Sequence, residues 1–188
     1  MSGTPPPGRL PGWRAAANRA STRIYGPRRG LEGFSWLGDE RIAVGSLPVG
    51  GAVPRLPELG VTHVVNCRAP LQTRISQDLW AERRVFGADR VAHAPMWDHG
   101  RRQSPVLWAP ATRFGAAALD DPTAGLLVHC QQGRHRSAMV AYAVLRLRGH
   151  DSDEAERLVL DHRASAALVP AYRESVEEWL SASGHPLT

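Results

Sequence analysis

The sequence predicts an α/β domain: a central, mostly parallel sheet of about four to five strands flanked by helices, with a glycine-containing loop joining one strand to a helix. Three observations lead there. Short apolar and β-branched runs alternate with segments of helical spacing from residue 40 onward. A length of 188 residues, 43% of them hydrophobic and 22% charged, suits one buried core and is too short for two ordinary domains. The run from His129 to Ser137 lies between a β-branched stretch and an apolar helical one.

Taken in order, residues 1–31 carry six arginines, no acid and the cluster Pro5-Pro6-Pro7-Gly8, which leaves little apolar area to bury. Disorder is expected at this end, although Trp13 to Ala20 can form a short helix. The folded domain is therefore expected over residues 32–188. Arg41 to Val44 reads as a strand, Pro54 to Leu59 as a short helix with proline near its start, and Val61 to Asn66 as a buried β-branched strand. Ile75 to Phe86 follows helical spacing and Arg90 to Ala94 reads as a strand. Ser104 to Leu119 reads as a helix capped by Ser104 with Pro105 at its first position. Gly125 to His129 is the next strand, and Ser137 to Arg148 an apolar helix ended by Gly149. A further helix starts at Ser152 with Glu154 in its first turn, and the last spans about Pro170 to Ser181.

Composition narrows the chemistry. All 23 basic residues are arginine, and the net charge of +5 rests on them. Without lysine the chain cannot be a P-loop NTPase, nor can it hold a cofactor as a lysine Schiff base. The arginine excess favours anionic partners. No run approaches the roughly 20 apolar residues of a membrane span, and no secretory leader pattern opens the chain, so stable membrane insertion is not expected and a cytoplasmic location is. Two cysteines, Cys67 and Cys130, do not make a disulfide framework. His129, Cys130 and His135 lack the paired spacing of a tetrahedral metal site, and neither metal nor cofactor is expected.

The run His129-Cys130-Gln131-Gln132-Gly133-Arg134-His135-Arg136-Ser137 carries the strongest signal. A tight loop between strand and helix turns successive amides inward, and the helix start adds the positive end of its dipole, so this is a phosphate-binding loop by design. Gln131, Gln132, Gly133, Arg134 and His135 would supply its donors, with Gly133 permitting the backbone twist. Cations and a helix N-terminus lower a thiol's pKa, making Cys130 a nucleophile. Arg136 offers a planar fork for two phosphate oxygens, Ser137 a hydroxyl for the leaving sulfur, and His129 an anchor for the loop.

Cysteine, five residues and arginine, preceded by histidine and followed by serine, resembles the signature of the protein tyrosine phosphatase superfamily in its dual-specificity branch. Arg41-Ile42-Ala43-Val44-Gly45-Ser46 and Leu59-Gly60-Val61-Thr62-His63-Val64-Val65-Asn66 are similar to that branch's opening strand and second strand, so the likeness covers roughly residues 40–182. It implies hydrolysis of phosphate monoesters through a cysteinyl-phosphate, with phosphorylated protein or a small anionic phosphate as partner. It also implies an aspartate general acid on a loop about thirty residues upstream. Asp98, in Met96-Trp97-Asp98-His99-Gly100, lies 32 residues before Cys130. His99 is the substitute; Asp120 and Asp121 are less favoured, because they sit at a helix end only nine or ten residues before Cys130, on the far side of the strand.

Cys67 is expected in the core. Arg68, Arg101 and Arg102 either line the mouth or are solvated, and Trp97, Trp108 and Trp179 are expected as core or helix-face anchors. His135 and Gln132 are bulkier than the residues common in phosphotyrosine-directed relatives. Gly133-Arg134-His135-Arg136 is similar to the run in members acting on inositol pyrophosphates, and lipid-phosphate members also place a basic residue there. Three competing readings remain: a catalytically silent phosphoprotein-binding module, a sulfur transferase, and nucleic-acid binding. The last ranks lowest because basic and aromatic residues do not interleave.

Overall fold

The computed structural model describes residues 33–48 and 50–184; the arginine-rich segment 1–31 and the helix expected over residues 13–20 lie outside the described residues. Among the described residues, five strands form one sheet in the order β1-β2-β5-β3-β4. They are β1 (Phe34–Trp36), β2 (Ile42–Gly45), β3 (His63–Asn66), β4 (Val91–His93) and β5 (Leu126–His129). All neighbours pair in parallel except β1, which runs antiparallel to β2 at the edge. The expectation of a mostly parallel sheet therefore holds. β1 was not anticipated, because three residues around Phe34 give too short a period-2 pattern to register in sequence.

Among the described residues, six α-helices flank the sheet: α1 (Pro70–Ser76), α2 (Asp78–Phe86), α3 (Pro105–Ala118), α4 (Arg136–Leu147), α5 (Ser152–His162) and α6 (Pro170–Ala182). The single helix expected over Ile75 to Phe86 is two. Pro70 starts α1 early, and Gln77 breaks the axis by adopting the left-handed conformation at φ 54°. The break lets α1 present Gln72 toward the loop after β5 while α2 turns Asp78 and Glu82 inward. The short helix expected at Pro54 to Leu59 is a pair of 3₁₀ turns, Gly50–Arg55 and Pro57–Leu59. Ser104 has extended backbone but its hydroxyl makes no capping bond, so Pro105 sets the start of α3. Asp151 caps α5, accepting from the Glu154 amide at 2.7 Å.

The pleat divides the core. Ile42, Val44, Val65, Leu126 and Val128 face α3, α4 and α6, where they meet Met139, Tyr142, Trp108 and Trp179. Ala43, Val64 and Leu127 face the other way, toward Leu56, Leu79 and Val85. Helix α4 is buried from Arg136 to Arg146 and fills the middle of the first layer. Its position fixes the loop that precedes it. Trp108 and Trp179 meet edge to face at 5.0 Å between centroids, as expected for core anchors. Trp97 departs from that expectation and is half exposed.

Trp108 is fully buried, so Trp108→Ala should cost about 3–5 kcal/mol of stability. Urea denaturation checks this as a lowered midpoint with an unchanged slope.

Candidate active site

The site lies at the carboxyl end of β5, the central strand, where open parallel sheets leave a crevice. Period-2 alternation decides what each residue there meets. His129 points with Leu127 toward α2; Cys130, one residue on, points toward the start of α4. Both are buried, Cys130 at 1% exposure.

Residues 130–136 fold into a bowl with four of their carbonyls satisfied on the outside. The Leu47 amide donates to Gln131 O, Arg163 Nε to Gly133 O, the Ala167 amide to Arg134 O and the Met139 amide to His135 O. Their own amides are thereby free to turn inward. Gly133 N donates to Cys130 Sγ at 3.2 Å, and the Arg134 and Ser137 amides also favour its charged form. Gly133 has φ +68°, and a Cβ there would lie 2.6 Å from Gly45 C and 2.7 Å from its oxygen, so only glycine fits. Burial by itself pushes the Cys130 thiol up. The Ser137 hydroxyl at 3.3 Å, the Arg136 charge and the two amides outweigh it and hold the thiol below its ordinary value. Cys67, equally buried but facing the negative Cys130, is pushed well up and stays protonated.

Arg136 closes the bowl. Its Nη1 donates to Gln72 Oε1 at 2.9 Å, Met96 O at 3.0 Å and Cys67 O at 3.4 Å, which fixes the plane of the guanidinium. Its Nε is buried with no hydrogen-bond partner and lies 3.9 Å from Asp98 Oδ2. A buried, orphaned donor on a charged group is costly unless an anion meets it.

Asp98 stands at the mouth, one third exposed. It accepts from the Tyr172 hydroxyl at 3.1 Å and lies 3.1 Å from His135 Nδ1, and Tyr172 in turn accepts from the Gly100 amide at 3.2 Å. The segment carrying Asp98 is thus fastened to α6 and to the loop at once. His99 is engaged elsewhere: its Nδ1 accepts from the Arg101 amide at 3.1 Å, and its Nε2 lies 3.4 Å from Gln103. Gln132 and Arg134 are exposed beside the bowl. Asp120 is spoken for by Arg148.

Behind the bowl is a buried polar network that the sequence reading missed. His129 Nε2 bonds Glu82 Oε1 at 2.7 Å with both side chains fully buried. Asn66, paired with His129 across β3 and β5, donates to Glu82 at 3.1 Å and to Asp78 at 2.7 Å. Asp78 pairs with Arg68 at 2.7 Å, and Arg68 Nη2 donates to Gln131 Oε1 at 2.8 Å. Asp78, Glu82 and His129 bring potential ligand atoms within 4.8 Å of one another, but Arg68 and Asn66 already neutralise and bond the carboxylates. Arg68 is therefore a strut under the loop. Arg102 sits on the surface, paired with Glu174 and Glu178. Burial opposes charge on His129, yet the Glu82 carboxylate, with Asp78 and Cys130 adding to it, raises its pKa. The spacing of Asp78 and Glu82, one helical turn apart on a single face, was the available signal. Tyr172, Gln72 and Arg163 had none.

No family model matches the chain, and no curated protein sequence does. Solved structures do. Human DUSP28 is 23% identical, with 80% of this chain and 94% of that one covered and a TM-score of 0.60. PTPMT1 in complex with PI(5)P is 17% identical, covering 79% and 95%, with a TM-score of 0.65. Kinase associated phosphatase, carrying serine for its catalytic-site cysteine, is 17% identical, covering 81% and 97%, with a TM-score of 0.66. The fold is that of the dual-specificity phosphatases, as the resemblance over residues 40–182 implied.

Two outcomes test the electrostatics. Ser137→Ala should raise the apparent pKa of Cys130, read as the pH midpoint of iodoacetamide alkylation, because the leading stabiliser of the thiolate is gone. Since His129 is raised above 6.5 in the fold, its pairing contributes fully below 6.5 and is lost as pH rises through the raised value. Glu82→Gln should remove that dependence and cost about 3–5 kcal/mol on the acid side, measured by urea denaturation across pH.

Proposed function

We propose that the protein is a phosphatase that hydrolyses phosphate monoesters through a cysteinyl-phosphate on Cys130, with phosphorylated protein side chains as its substrate class. One observation carries the reading. The Gly133 amide and the Ser137 hydroxyl converge on a buried sulfur held below its ordinary pKa, beside an arginine whose buried Nε has no hydrogen-bond partner. A phosphoryl group seated there meets the remaining loop amides and completes Arg136. Kinase associated phosphatase, which shares the fold, has a catalytic-site cysteine.

In the first step the Cys130 thiolate attacks phosphorus in line. The P–O bond to the leaving group breaks, and protonated Asp98 gives its proton to the departing oxygen. The loop amides and Arg136 take the charge on the three equatorial oxygens. In the second step Asp98 accepts a proton from water, the water oxygen attacks phosphorus, and the P–S bond breaks. Ser137 donates its hydrogen bond to the returning thiolate. Tyr172 holds the Asp98 carboxyl over the bowl, and His129 with Glu82 holds the end of β5 rigid. Every residue required by this scheme is present, which separates it from a silent binding module. Arg134, exposed beside the bowl, supports a second reading: a non-protein, highly anionic substrate, consistent with the PI(5)P held by PTPMT1.

Cys130→Ser should abolish turnover of phosphopeptides and of a small aryl phosphate while retaining phosphate binding by calorimetry. Asp98→Asn should lower kcat by about 10²- to 10⁴-fold, since no side-chain proton then reaches the leaving oxygen. Turnover unaffected by Cys130→Ser would refute the proposal. A panel of phosphotyrosine, phosphoserine and phosphothreonine peptides against inositol polyphosphates decides the substrate class.

A further inference from the structure

The exposed faces of α1 and α2 combine bulk and charge in a way the catalytic reading does not use. Ile75 is 75% exposed, Trp80 58% and Leu71 55%. Leu71 and Ile75 are one turn apart and stand side by side. Around them Arg74, Arg83 and Arg84 are exposed, and Arg84 lies 4.6 Å over the Trp80 ring. The only acids on these two helices, Asp78 and Glu82, are buried. The outward surface is therefore apolar and cationic with no compensating carboxylate.

Charge selects the occupant. Residues 1–31 are themselves arginine-rich and acid-free, so they do not complement this face. A second copy would set arginines against arginines across a two-fold axis. The hollow of about 510 Å³ beside Trp80 is lined by Thr73, Arg74, Gln77, Leu79 and Arg83, and an acidic peptide seated in it would leave Leu71 and Ile75 in water. An anionic bilayer suits this composition: protruding aliphatic and indole side chains favour the headgroup boundary while arginines favour lipid phosphates.

We infer that the α1–α2 face docks on an anionic lipid bilayer. Contact is peripheral, since among the described residues no helix is long and apolar enough to cross a membrane. Gln72, on the same helix as Leu71 and Ile75, bonds Arg136, so the docking helix also touches the bowl. This goes beyond the phosphatase reading and does not depend on it.

The test is co-sedimentation of the full chain with vesicles of phosphatidylcholine and phosphatidylglycerol, two to one, and with phosphatidylcholine alone. Binding is expected to the first only and to weaken with salt. The double variant I75S/W80S should bind on the order of tenfold more weakly, and Arg83→Ala and Arg84→Ala roughly fivefold each. Turnover of a small aryl phosphate should be unchanged in all of them, which separates this proposal from the catalytic one. Vesicle binding by I75S/W80S equal to that of the parent would assign the affinity to the N-terminal arginines and overturn the inference. So would capture of an acidic peptide, without vesicle binding, that is lost in the same variants.

Discussion

The whole arrangement depends on keeping a charged sulfur in a place with almost no water. Desolvation disfavours a thiolate, and Cys130 is nearly inaccessible. Fixed dipoles replace the missing solvent. They are available because four loop carbonyls have found donors on the outer side, from Leu47, Arg163, Ala167 and Met139. If those outer bonds were absent, the peptide planes could rotate and the inner donors would be lost together.

Strand alternation then distributes the labour around β5. Two consecutive residues, His129 and Cys130, leave the strand on opposite faces and meet different chemistry: a buried carboxylate on one side and a helix start on the other. The first face is structural. Glu82, Asn66, Asp78, Arg68 and Gln131 form one connected polar path from α2 to the loop, and every charge on it has a counter-charge or a bonded neighbour. Such a network is costly when half satisfied, and here it ties the loop's position to that of α2.

Arg136 and Asp98 connect the bowl to the segment that closes it. The guanidinium spends Nη1 on Gln72, Met96 and Cys67 and keeps Nε for something not supplied by the protein. Asp98 faces that Nε while the Tyr172 hydroxyl and His135 hold it from two other directions. His135, bulkier than the residue common in phosphotyrosine-directed relatives, is thus a neighbour of Asp98.

What the sequence by itself determined is what lies contiguous in the chain. The spacing of Cys130, Gly133, Arg136 and Ser137 sets the loop, because backbone amides can only converge on atoms a few residues away. The apolar runs at Ile42, Val64 and Leu127 and the prolines at 105 and 170 mark strands and helix starts through sterics that act locally. The likeness of residues 40–182 followed from those runs. Tertiary structure alone decided the partners that come from afar. Glu82 reaches His129 across 47 positions, Tyr172 reaches Asp98 across 74, and Arg163 backs Gly133 across 30. Their residue types are common on any surface, and nothing in their neighbours marks them. Likewise the break at Gln77, which separates α1 from α2, was invisible in a continuous helical period. It became necessary only once Asp78 and Glu82 had a buried histidine and an arginine to meet.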